Sequence, residues 1–229
     1  MPDSARLRGG AHRRFVTAMP SLRQLLAAHA PLLLIDAASA RIQVGLFDSK
    51  GTARWQTSNA EAGIGVFRAI EALDLDLSAV CGFAYCEGPG SILGIRTVAM
   101  ALRTWAVLAP RPVFAYQSLA VVAQALGRPE VGVIADARRA SWHRFAPGGA
   151  LRRVPVEELS GELAMPEHFR HWSPLPAGVT IVPYSLDDLL PRVIDADLFK
   201  AAPDPDAFLH EDPHYVTWTP QIHRAPHPA

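Results

Sequence analysis

Two aspartates close apolar runs in this 229-residue chain. Asp36 and Ser39 end PLLLIDAAS (Pro31 to Ser39), and Asp136 opens DARR after the run VGVIA. An acid at a strand end, followed by small residues or a hydroxyl, can hold Mg²⁺ through water and orient a nucleophile. Between the two lies Gly88-Pro89-Gly90-Ser91, which follows an apolar strand and precedes a helix. Gly88 and Gly90 allow close backbone approach, Ser91 can cap the helix, and its free N–H groups together with Arg96 could hold an anion. The same residues also fit a tight turn with a capped helix. There is no GxxxxGK[ST] and no lysine nearby. No glycine-rich adenosine loop follows Asp136, since Gly148-Gly149 reads as a hairpin turn. Asp36, Ser39, Gly88, Gly90, Ser91, Arg96 and Asp136 are therefore expected to be vestigial phosphate loops, and no residue is assigned a catalytic role.

Other chemistries find less support. His168 and His171 are three residues apart and His210 and His214 four, but both pairs sit among prolines without an HExxH frame. Zinc needs three or four converging ligands, so these read as surface histidines and no metal site is expected. No GxSxG elbow is present. The two cysteines, Cys81 and Cys86, read as core thiols in a reducing, cytoplasmic compartment. Net charge is zero, which gives no overall electrostatic footprint for nucleic acid. No apolar run reaches the roughly 20 residues that span a bilayer, so no membrane association is expected.

The elements that must position these residues follow an α/β pattern. RIQVGLF (Arg41 to Phe47) alternates after the first strand, Asp48 to Gly51 turns, and Ala53 to Thr57 forms a third antiparallel strand. Ala60 to Leu73 has Ile64, Phe67, Ile70 and Leu73 at helical spacing. Ala79 to Tyr85 and Pro112 to Gln117 are strands of a mixed sheet, and Ser118 is expected to cap a helix to Leu126. Glu130 to Phe145 repeats the strand-turn-strand logic, hinting at a duplicated two-lobe architecture. Thirteen of twenty prolines lie after Phe145, which predicts short, irregular elements there. The expected divisions are an arginine-rich, flexible extension over 1–30, a first lobe over 31–117 and a shortened second lobe over 118–229. Met19 offers a second plausible start.

The helix after Ser91 is apolar nearly all round. Ile95, Val98, Ala99, Leu102 and Ala106 form one face, and Ala101, Trp105 and Leu108 another. A helix of that kind is covered on more than one side. The sheet can cover one; the preceding helix or a partner chain must cover the other.

IDAAS, GPGSILGIR (Gly88 to Arg96), QSL (Gln117 to Leu119) and DARR occur in order, and over Pro31 to Phe145 the chain resembles the TsaB (YeaZ) family, relatives of TsaD and the glycoprotease group. PHYV (Pro213 to Val216) is similar to the family's closing P-x-YLR. The resemblance implies a two-lobed actin/Hsp70/sugar-kinase-like (ribonuclease H-like) fold with a degenerate second lobe. It implies a non-catalytic partner of TsaD in making threonylcarbamoyladenosine on tRNA, as a heterodimer with a TsaD-like protein or a homodimer, with tRNA met only through the complex. The helices before and after GPGS would form that interface, through Val66, Ile70, Ala101, Trp105 and Leu108. No cofactor is implied, weak ATP or ADP binding at most. A nucleotide-dependent small-molecule kinase or ATPase of the same fold is the alternative. The chain departs from the family in Ile92-Leu93-Gly94 for FTG, in Ala37 for threonine, and in lacking a histidine-acid pair after the meander.

Overall fold

The structure is a computed structural model that describes residues 19–146 and 148–208. The arginines before Met19, the His210/His214 pair and Pro213 to Val216 lie outside these residues. Two sheets carry the fold. In the first, β1 (Leu32–Asp36) pairs antiparallel with β2 (Ile42–Phe47), and β2 with β3 (Ala53–Ser58). Parallel strands β4 (Gly82–Gly88) and β5 (Val113–Gln117) extend it on the other side of β1. Every residue of β1 and β4 is buried, as apolar runs inside a covered parallel pair require, and the acids Asp36 and Glu87 near their ends are buried with them.

The second sheet repeats this plan. β6 (Gly132–Asp136) pairs antiparallel with β7 (Ser141–Phe145), β7 with β8 (Arg152–Pro155), and β9 (Leu163–Pro166) and β10 (Val179–Val182) add in parallel. The turn through Gly148 and Gly149 joins β7 to β8, as expected. Asp36 and Asp136 are thus the last residues of matching strands, β1 and β6, so the hinted duplication is real.

Helices cover the sheets. α2 (Ala62–Ala72) packs on β2 and β3, and α3 (Ile92–Leu108) packs beside α2 over β4 and β1. Gly65 permits the close approach of α2, because a Cβ there would stand 2.6 Å from Ile42 Cδ1. α4 (Ser118–Leu126) lies between the sheets against β4, β5 and β6, with α5 (Leu186–Arg192) beside it. Ser118 does not cap α4: Gln117 is the N-cap, and the Ser118 hydroxyl donates to the Pro89 carbonyl at 2.7 Å.

Two expected boundaries shift. Residues 22–29 are not part of a flexible extension but form α1 (Leu22–His29), whose Leu22, Leu25 and Leu26 enter the core. Ser21 and Gln24 make a capping box at its start, which a scan for apolar periodicity passed over. The first sheet also does not end at residue 117: β11 (Lys200–Ala201) returns to pair with β5, and its strand order is β11-β5-β4-β1-β2-β3.

Candidate functional site

The turn after β1 is closed to ligands. Asp36 is 0% exposed. Its carboxylate accepts the Ala38 N–H at 2.9 Å, the Tyr116 hydroxyl at 2.6 Å and the Tyr184 hydroxyl at 2.7 Å. Burial pushes the carboxyl upward, against hydrogen bonds from Tyr116, Tyr184, Ala38 and Cys86. Burial, and then the nearby Asp36 charge, raise the Cys86 thiol and both tyrosine hydroxyls well above their ordinary values. The space a phosphate-bound metal would need beside Asp36 is filled by two phenol rings. Tyr184 reaches it from the segment after β10, so the contact ties the two sheets together. Gln43 adds a second tie, donating to the Tyr184 carbonyl at 3.0 Å and accepting the Leu186 N–H at 2.8 Å.

The glycine turn is filled as well. The Ser91 N–H donates to the Ala38 carbonyl at 2.7 Å. A Cβ on Gly90 would stand 2.3 Å from that same oxygen, and one on Gly94 2.1 Å from the Ala37 oxygen. The glycines bring the start of α3 against the Asp36 turn, so protein backbone occupies the place where an anion would lie. Gly88, at φ 123°, carries the chain into this turn. Ser91 caps α3 as expected, accepting the Gly94 N–H at 3.3 Å. The Ser39 hydroxyl donates to the Arg41 carbonyl at 2.7 Å, in its own local turn. Arg96 points elsewhere, to Asp206 at 3.7 Å.

Asp136 has a different fate. It is partly exposed and accepts backbone N–H groups from Trp172 and Ser173, each at 2.7 Å, and from Arg138. Partial burial works upward on this carboxyl, but the N–H groups of Ser173, Arg138 and Trp172 together hold it below the usual carboxylate range. The residues of the expected phosphate loops are therefore not brought into one site: Asp36, Gly90 and Ser91 converge, while Asp136 anchors a separate loop.

The surface of α2 and α3 is the exposed apolar feature. Leu93 is 74% exposed, Met100 57%, Val107 85% and Leu108 79%, and Ile64 and Phe67 on α2 are also open. Phe67, Leu93, Arg96, Thr97, Met100, Ala101, Thr104 and Trp105 line a groove of 480 Å³ between the helices. The interface assignment needs correction here. Val66 and Ile70 are buried against the sheet, because Gly65 seats that side of α2 on β2. Ala101 is buried in the groove floor, and Trp105 is half-buried with its ring 5.6 Å from that of Phe83. Leu108 alone of the five is open. Phe67, Leu93 and Met100, outside the expected set, line the groove instead. Phe67 already stood in the periodic set of α2, and Leu93 and Met100 lie across α3 from its buried Ile95, Val98 and Leu102.

Sequence reading also passed over Glu87. This buried acid meets the Lys200 ammonium at 2.9 Å and Gln117 Nε2 at 3.3 Å, fastening β11 to the first sheet. Of the candidate metal ligands, His168 and His171 are exposed, and among the described residues no three histidines, cysteines or acids converge. Cys86 is buried as expected of a core thiol, but Cys81 is exposed. No helix among the described residues is long and apolar enough to cross a membrane.

Residues 62–152, from the start of α2 to β8, match the family model for TsaD, tRNA N6-adenosine threonylcarbamoyltransferase. The fold is similar to that of YeaZ from Pseudomonas aeruginosa, at 22% identity and a TM-score of 0.51, over 65% of this chain and 83% of that one. A second structure, an uncharacterized protein with similarity to peptidase YeaZ from Pseudomonas aeruginosa, aligns at 21% identity and a TM-score of 0.48, over 66% of this chain and 83% of that one. No curated protein matches. The fold is YeaZ-like, a two-sheet α/β architecture as expected.

Proposed function

We propose that this protein is a non-catalytic, TsaB-like partner of a TsaD-like protein in forming threonylcarbamoyladenosine on tRNA, and that it docks through the exposed face of α2 and α3. The observation that carries this reading is the contrast between a sealed turn and an open helix pair. The acid and glycine turn that would serve nucleotide chemistry are occupied by Tyr116, Tyr184 and the Ala38 carbonyl. The helix pair leaves Phe67, Leu93, Met100 and Leu108 in water, and both helices fall inside the stretch that matches the TsaD family. Fully burying such a side chain from water is worth at most about 1.5–3 kcal/mol, and covering the exposed part of each gives a fraction of that, so a partner presenting an apolar helical surface gains affinity there. A kinase or ATPase reading lacks a carboxylate open to metal at the first turn.

Reconstitution tests this. The chain alone is expected to hydrolyse ATP at background rate and to leave tRNA unmodified. Combined with a TsaD-like protein and the remaining substrates, it is expected to support modification that neither protein gives alone. Robust ATP turnover by the isolated chain, abolished by Asp36→Ala, overturns the reading.

A further inference from the structure

DARR (Asp136 to Arg139) has no role in docking through α2 and α3, yet its loop is elaborately held. Arg138, Arg139 and Ala140 are consecutive residues in the left-handed region, at φ 64°, 52° and 56°. Such backbone persists only where the surroundings over-determine it. Here Asp136 accepts the Arg138 N–H, and the Ala137 and Ser141 N–H groups close the turn at 2.9 and 3.0 Å. The same carboxylate takes the N–H groups of Trp172 and Ser173, so the loop over 168–173 is fixed beside the turn. The Arg138 guanidinium then lies 4.1 Å over the Trp172 ring, and Trp172 remains 57% exposed.

Several arginines on this face carry no ion pair among the described residues. Arg23, Arg96, Arg103, Arg128 and Lys200 are each ion-paired elsewhere on the molecule. Arg139 and Arg170, both exposed, and Arg41 have no ion-pair partner among the described residues. Arg41 joins this face through its neighbour Ala40, whose N–H donates to the His168 carbonyl at 2.8 Å. The acids nearby are Asp136, held by N–H groups, Glu167, which accepts the Tyr184 N–H at 3.2 Å and lies 3.7 Å from His168, and Glu157 and Glu158, which follow Val156, whose N–H donates to the Ala140 carbonyl at 3.1 Å. Planar, unpaired guanidiniums beside an exposed indole suit phosphates adjoining a stacked base.

We propose that the Asp136 knot presents Arg138, Arg139 and Arg170 with Trp172 as a surface that contacts the phosphate backbone of RNA directly. RNA would then be touched by the second lobe itself, and the contact needs no partner protein, so it stands or falls apart from docking through α2 and α3.

The test is fluorescence anisotropy of a labelled tRNA transcript with the full chain, across a salt series. The wild type is expected to bind with salt-dependent affinity. Arg138→Ala with Arg139→Ala is expected to weaken binding about tenfold and to lower the salt slope by about 2. The same pair changed to lysine should recover only part of the affinity, because the charge returns without the planar group. Arg170→Ala, outside the strained turn, should cost about threefold and reads the surface independently if the double variant does not fold. Three results overturn the proposal: no salt-dependent binding by the wild type, wild-type binding by the alanine variants, or displacement of the tRNA by polyglutamate at equal charge. The second would assign binding to another segment, and the third to a general polyanion site.

Discussion

Asp36 and Asp136 end matching strands in two sheets built on one plan, yet they solve opposite problems. Asp36 is sealed beneath two tyrosine hydroxyls, and burial raises its carboxyl. Asp136 stays partly exposed, is held chiefly by backbone N–H groups, and is held low. An acid at a strand end is a position that the fold supplies; what packs over it decides its use. In the first lobe that position became a tie between sheets, and in the second it became an anchor for a surface loop. Neither is left as an open metal carboxylate.

Removing each acid should expose this difference most strongly. Asp36→Ala strands two buried hydroxyls without their acceptor and opens a gap, so a loss of about 3 kcal/mol or more is expected. Asp136→Ala loosens a solvated loop and should cost about 1 kcal/mol or less. Chemical denaturation of both variants gives the two values side by side. Equal losses would mean that the Asp36 cluster is not the tie described.

A finer contrast lies in pH. Asp36 titrates higher in the folded chain than in the unfolded one. The stability linked to its protonation is present below about pH 4 and is lost as pH rises through the folded value. Asp136 titrates lower when folded, so its contribution is present above about pH 4 and is lost as pH falls through the folded value. Relative to wild type, Asp36→Asn should therefore gain ground as pH rises from 4 to 8, and Asp136→Asn should lose ground from the acid side upward. Melting curves at several pH values show the two trends. Trends of the same sign would contradict the environments assigned to these carboxylates.

The same contrast explains what could be read from the chain beforehand. Local patterns were legible: the meander over β1 to β3, the helical spacing in α2, the Ser91 cap and the Asp136 turn all depend on neighbours in sequence. The sealing of Asp36 was not, because Tyr116 and Tyr184 arrive from 80 and 148 residues away. The Glu87–Lys200 pair and the return of β11 are equally remote. The exposed apolar surface was legible as a helix pair but not as a face. Periodicity placed Val66, Ile70 and Ala101 on apolar stripes, but which stripe the sheet takes depends on Gly65 seating α2 against Ile42. α1 escaped notice because its few leucines follow a segment dominated by arginine.

Docking through α2 and α3 is tested most directly by titrating a TsaD-like protein into the wild-type chain and into Met100→Arg, with thermal melting of each chain alone. Met100 is exposed in the isolated protein, so the variant should melt as the wild type does. A charge placed in a desolvated contact should weaken association tenfold or more, a change of about 1.4 kcal/mol at the least. Unchanged affinity in a normally folded Met100→Arg chain would contradict the account and move the partner surface away from the α2–α3 groove.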